Sequence, residues 1–354
     1  MLLTRCFNSL RKEPELDNSS LQCINLGSIE TRYSELSSSI LRTPTTKLSS
    51  PVLRDLIKES EIYLKLECFQ HSGTFKARGA LSVTKQIIKD NKKFGITTAS
   101  AGNHAIAAAW AAKVEKLSAK VVMQTSANPY RVSLAKTYGA EIIMKEGGLA
   151  AFAEADRLKR EENRTFIHPF DGIDTTLGSA GVGLELIEDY SDLDAVVVAV
   201  GGGGLISGVA AAVKLKNNNC KIYGVEPIGA NSMAQSIKVG KPVTLNSIDT
   251  IADSLAPPMA LPFSYAVCKK FVDEFVAVTD DQICAGLSLL QEEGKLAVEP
   301  AAGAVVAGAI WPLRKKLTGK RIGLVICGAN IDAQSYEGYL RQGSRIVNEE
   351  LTQI

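Results

Sequence analysis

Four short stretches combine residue types at spacings that suit chemistry. The first is HSGTFKARGA at 71–80, where Lys76 follows small residues and stands beside Phe75. An amine held among apolar groups, or close to another cation such as Arg78, loses basicity and becomes a nucleophile. Position alone also fits a solvated lysine at a helix start. The second stretch, TASAGNHA at 98–105, puts Ser100, Ala101, Gly102, Asn103 and His104 on a turn from strand to helix. Successive N–H groups on such a turn form a nest for a carboxylate. The Asn103 amide offers both donors and an acceptor. A plain helix cap would use the same residues. The third stretch is Gly201, Gly202, Gly203 and Gly204, followed by Leu205. Glycines let the backbone approach an anion, and a helix N-terminus adds partial positive charge. A tight turn alone would need only one glycine. Neither Walker A nor GxGxxG is present, so a small phosphorylated ligand fits better than a nucleotide. The fourth stretch is CGAN at 327–330, with Cys327 at the end of an apolar run. By itself Cys327 reads as a small buried hydrophobe.

The surrounding pattern supplies the elements that must position these groups. Short β-branched runs alternate with alanine-rich helical patterns from residue 60 onward. Strands are expected at 62–67, 96–99, 119–124, 140–144, 194–200, 221–226, 275–278 and 321–327, most followed by a helix. Alternation of this kind implies βαβ units and mostly parallel sheets. Continuous apolar strands fit sheets covered on both faces. Ligands of such sheets sit at the carboxyl ends of the strands, where all four stretches fall.

Bulk properties exclude several classes. The chain has 354 residues, 45% apolar and 22% charged, with a net charge of +2. That size predicts two domains or one large α/β unit. The charge balance offers no case for nucleic acid or an anionic membrane. No apolar run approaches the ~20 residues that cross a bilayer. Seven scattered cysteines without a CxxC pair suit a reducing, cytoplasmic setting. The three histidines are not at metal-ligand spacing. Residues 1–20 read as a flexible arm without the apolar core of a signal peptide.

In this order, the stretches resemble the fold-type II pyridoxal-phosphate (PLP) enzymes, and within them the serine/threonine dehydratase and serine racemase group. The resemblance spans about residues 30 to 335. The Thr74-Phe75-Lys76-x-Arg78-Gly79-Ala80 run matches the group's S/T-F-K-x-R-G-A signature, and CGAN matches its S/C/T-G-G-N ending. It implies an α/β fold with two open, twisted, parallel-type sheets flanked by helices, like the tryptophan synthase β chain. The implied division is a large PLP-binding domain at 21–80 and 166–354 and a small domain at 81–165. Lys76 would carry PLP as a Schiff base and shuttle the Cα proton. Phe75 would pack on the ring, Asn103 would bond its hydroxyl, and 201–205 would hold the phosphate. Cys327 would face the ring nitrogen as a weak donor, with Glu299 nearby. Residues 100–104 would bind the substrate carboxylate. The β-hydroxyl would leave as water, protonated by the cofactor phosphate. The implied products are a 2-oxo acid and ammonia, and the implied assembly is a homodimer.

Departures from the group's pattern narrow the reading. Racemases carry a serine where this chain has Ala101, and alanine transfers no proton, so elimination is favoured over racemization. Metal-activated relatives use a glutamate, a carbonyl and an aspartate. Here Glu226 and Ala230 remain, but Ser232 replaces the aspartate, which disfavours a hard cation. Ala329 replaces a glycine beside the ring. Glu299 also fits a simple helix N-terminal acid, and His168 reads as structural. The few residues after CGAN leave no room for a C-terminal regulatory domain. Serine or aspartate racemase, a β-replacement synthase, a PLP carrier without turnover and a dinucleotide-dependent dehydrogenase stand as the alternatives. Threonine, serine and bulkier β-hydroxy amino acids all fit the motifs.

Overall fold

The computed structural model describes residues 18–90 and 94–351. The expected arm therefore lies mostly outside the described residues. Its last part differs from expectation: Asn18–Gln22 is helical.

Among the described residues the strands are β1 (Thr45–Leu48), β2 (Glu61–Lys65), β3 (Ile96–Ala99), β4 (Ala119–Gln124), β5 (Glu141–Lys145), β6 (Thr165–Phe166), β7 (Ala195–Ala199), β8 (Lys221–Pro227), β9 (Glu274–Val278) and β10 (Arg321–Val325). They form two sheets, ordered β1-β2-β10-β7-β8-β9 and β5-β4-β3-β6. Every pairing is parallel except that of β1 with β2. The fold is thus mixed α/β with two parallel-rich sheets flanked by helices, as expected. Neither β1 nor β6 was foreseen. TTKL is polar and half-exposed at a sheet edge, and a two-residue strand has no periodicity to detect.

Burial explains the apolar runs. All of Ala195–Ala199 is buried, as are Ile62–Lys65 and Ile322–Val325. Parallel strands covered on both faces need no polar side. The helix Asn103–Val114 is buried from Asn103 through Ala112. Its small alanines let it sit between β3 and β4 on one side and the helix Lys76–Lys89 on the other.

The helix Lys76–Lys89 is fixed by a buried ionic cluster. Arg78 donates to both oxygens of Glu67, at 2.8 Å each, and to both of Glu185, at 2.7 and 2.9 Å. Lys65 donates to Glu185 at 2.6 Å and to the Thr43 carbonyl at 2.7 Å. All four charged side chains are fully buried. Opposite charges balance within the cluster, which is the condition for such burial. The expectation that Arg78 tunes Lys76 is corrected here. Two residues apart on a helix, the side chains diverge, and Arg78 faces Glu67 and Glu185.

Candidate active site

Loops at the carboxyl ends of β2, β3, β6, β7 and β10 surround a cavity of about 310 Å³. Its lining includes Phe75, Lys76, the turn from Ser100 to His104, the run Gly201–Leu205, Glu299 and Cys327. The structure therefore brings together every residue named for cofactor or substrate carboxylate. Glu226 and Ala230 lie elsewhere.

Lys76 begins its helix because the preceding segment is pinned. Thr74 bridges Gly328, and the Phe75 N–H donates to the Cys327 carbonyl at 3.0 Å. The Lys76 amine lies 4.8 Å over the Phe75 ring and 3.4 Å from the Pro169 carbonyl. Desolvation lowers its pKa to about 8, against opposing pulls from Glu299 and Cys327. The lowered basicity expected from sequence is present, but desolvation, not a neighbouring cation, produces it. Desolvation also holds the Cys327 thiol protonated, well above its ordinary range.

The glycine run fits an anion cradle. Gly203 adopts a left-handed φ of +92° and directly precedes the helix Gly204–Lys216, whose first turn carries no acid. A Cβ at Gly202 would lie 2.2 Å from the Phe170 ring. His168 shapes that contact: its Nδ1 accepts the Phe170 and Asp171 N–H groups at 3.3 and 3.0 Å. Free amides at a helix start, with glycine enforced by packing, suit a phosphate. An amine, this cradle and a protonated thiol lining one cavity match the donor set PLP requires.

The Asn103 side chain also has protein partners. Its Nδ2 donates to both Glu299 oxygens, at 2.8 and 2.7 Å, and its Oδ1 accepts from Asn330 Nδ2 at 2.8 Å. Its two N–H donors are thus engaged by Glu299, while Oδ1 keeps a second lone pair that can accept from a cofactor hydroxyl. Glu299 precedes the helix Pro300–Ile310 but makes no side-chain cap bond; its carboxyl turns to Asn103 instead. Desolvation raises its pKa, while Arg131 and Asn103 lower it.

His104 contributes no charge to the turn. It is buried, its Nε2 donates to the Ile167 carbonyl at 3.1 Å, and desolvation lowers its pKa to about 3. The Asn103 and His104 amides, at the start of the helix Asn103–Val114, have no acceptor within the helix, which suits an anion. Glu226 accepts the N–H groups of Met233 and Ala234 at 2.9 and 2.8 Å, and burial raises its pKa to about 8. It closes the start of the helix Ser232–Val239. No metal-competent cluster of three His, Cys, Asp or Glu occurs among the described residues.

Sequence reasoning missed Asn330, Arg131 and Asp253. Asn330 Nδ2 also donates to the Ser72 carbonyl at 2.8 Å, and its own carbonyl accepts from Arg131 Nε at 3.1 Å. Arg131 Nη2 donates to Asp253 at 3.2 Å, and its Nη1 donates to the other oxygen. Asn330 was visible in CGAN. Arg131 in PYRVSLAKTYG carries no local signal.

The family model described as "Pyridoxal-phosphate dependent enzyme" matches residues 36–328. Phenylserine dehydratase of Ralstonia pickettii is 45% identical over 282 residues, 80% of this chain and 86% of that one. L-threonine ammonia-lyase of Thermotoga maritima is 36% identical over 285 residues, covering 80% and 70% respectively. The solved maize serine racemase has a TM-score of 0.83 at 30% identity, covering 91% of this chain and 98% of that one. The chain belongs to the pyridoxal-phosphate dependent enzyme family. It is a PLP-dependent lyase of fold type II.

Proposed function

We propose that Lys76, the glycine run and the 100–104 turn serve one reaction: elimination of water from a β-hydroxy amino acid, after which hydrolysis returns a water and releases ammonia, giving a 2-oxo acid. The carrying observation is the Lys76 amine, with its pKa brought to about 8 by burial, in one cavity with the 201–204 run and the 100–104 turn. Relatives named for phenylserine and threonine support the same reaction class.

Gly201, Gly202, Gly203, Gly204 and Leu205 would hold the cofactor phosphate through backbone amides. Phe75, Asn103, Glu299 and Cys327 would border its ring. When bound, the cofactor supplies a covalent anchor for the substrate amine and a sink for the Cα electron pair. The N–H groups of Ala101, Asn103 and His104 orient the substrate by its carboxylate, those of Ser100 and Gly102 being given to the Val122 carbonyl at 3.0 Å and to Ser100 Oγ at 3.3 Å. Lys76 Nζ, neutral in an appreciable fraction near pH 8, takes the Cα proton as general base. The Cys327 thiol is at most a weak donor to the ring nitrogen. Ala101 presents a methyl group to the cavity, so it delivers no proton to Cα and racemization is disfavoured. The homodimer, the cytoplasmic setting and the 81–165 small domain belong to the same proposal.

Lys76→Ala tests the assignment. Expected is loss of the lysine-bound cofactor absorbance, of borohydride fixation and of 2-oxo acid release from every hydroxy amino acid. A variant that retained fixation and turnover would refute it. Chiral analysis of recovered L-serine tests the racemase reading; D-serine at a rate rivalling 2-oxo acid release would favour it.

A further inference from the structure

We propose that this site takes β-hydroxy amino acids with an apolar β-substituent as large as an aryl ring, and that the Arg131–Asp253 pair excludes an anionic one. The inference rests on the dehydratase reading and adds the β-substituent to it.

Under that reading, the carboxylate, amine and hydroxyl of the substrate already have partners or chemistry assigned. The β-substituent must meet the remaining lining. Phe152, Phe170, Leu255, Pro257 and Pro258 contribute to it and bear no charge. Phe152 packs against the buried cluster of Phe170, Met259 and Leu261, so the two phenyl rings belong to one apolar wall. Phe152 comes from the helix Gly147–Glu161, beside the four-stranded sheet, while Phe170 follows β6 and abuts the glycine run. An aryl ring entering there leaves water for apolar contacts.

A second carboxylate finds no counter-ion. Lys76 and Arg131 are the arginine or lysine side chains among the described residues that line the cavity. Lys76 is committed to the cofactor and substrate amine. Arg131 directs both terminal nitrogens at Asp253 and its Nε at the Asn330 carbonyl. His104 is held neutral by burial. The Asp253 side chain is 60% exposed, whereas that of Arg131 is 8% exposed. The accessible member of the pair is therefore the acid. A β-carboxylate would lose hydration, gain no partner and meet a like charge.

The test measures kcat/KM of the holoenzyme, by 2-oxo acid release, for threo-3-phenylserine, threonine and threo-3-hydroxyaspartate. Phenylserine is expected to exceed threonine by at least ~10-fold and hydroxyaspartate by at least ~100-fold; each tenfold is about 1.4 kcal/mol. Turnover of threonine or hydroxyaspartate at or above phenylserine overturns this inference and leaves the dehydratase reading intact. No 2-oxo acid from any substrate, with the cofactor bound, overturns both. Asp253→Asn frees Arg131 from its counter-charge. The hydroxyaspartate-to-phenylserine ratio should then rise at least ~10-fold, while Asp253→Glu keeps the native ratio. An unchanged ratio in Asp253→Asn overturns the role of the pair. Should that variant fail to fold, inhibition of the native enzyme decides. Phenylalanine should bind at least ~10-fold more tightly than aspartate, and the reverse order overturns the proposal.

Discussion

A lysine amine is an ordinary surface group with a pKa near 10.5 until its water is removed. Lys76 loses that water between the Phe75 ring and the Pro169 carbonyl, and its pKa falls to about 8. The sign follows directly. Only the neutral amine attacks a carbonyl, and the neutral fraction grows as pH rises through the pKa. Covalent capture of PLP by the cofactor-free protein should therefore speed up with a midpoint near pH 8. Stopped-flow absorbance across pH 6–10 measures this, and a midpoint above 10 would show a solvated lysine. Asn103 and Glu299 follow the same logic from the acidic side. Burial raises the Glu299 pKa while the Asn103 amide holds its oxygens.

The lysine helix needs an anchor that does not touch the chemistry. Its first turn carries Arg78 into the cluster with Glu67, Glu185 and Lys65, all fully buried. Glu185→Ala leaves two buried cations short of one carboxylate. Such a loss typically costs about 3–5 kcal/mol, and urea unfolding of the holoenzyme should show a correspondingly lower midpoint. Arg157 pairs with Glu154 and Glu161 on an open helix face. Arg157→Ala should move the same midpoint by no more than ~0.5 kcal/mol. Equal effects from the two substitutions would show that the buried cluster is not the anchor of the element.

The whole molecule assembles its site from loops on two sheets, and Asn330 ties three of them. It bonds the Ser72 carbonyl beside the lysine loop, the Asn103 side chain on the 100–104 turn, and through its own carbonyl Arg131. Ser72 needs such a tie, because its φ of 62° is left-handed and non-glycine. Asn330→Ala keeps the backbone carbonyl but leaves two buried acceptors unpaired. The expected outcome is a loss of about 1–3 kcal/mol in stability together with faster cofactor dissociation. Fluorescence during dialysis against cofactor-free buffer reads the second effect. Unchanged retention would mean that each loop holds its own shape.

The α/β class, eight of the strands, and the placing of Lys76, the glycine run and the 100–104 turn at strand ends were legible in the residues alone. Each rests on a local signal: an apolar run, a glycine cluster or a motif read within ten residues. The partners of these groups emerged from packing. Arg78 was visible but turned to Glu67 and Glu185, because helical geometry directs neighbouring side chains apart. Asn103 found Glu299, which is 196 residues away in the chain. Arg131 met Asp253 across 122 residues. Pairings over such separations leave no periodicity in one sequence, and buried polar groups take whichever partner the packed loops bring within reach. The lysine was therefore legible from the start, while the walls and charges around it had to be read from the fold.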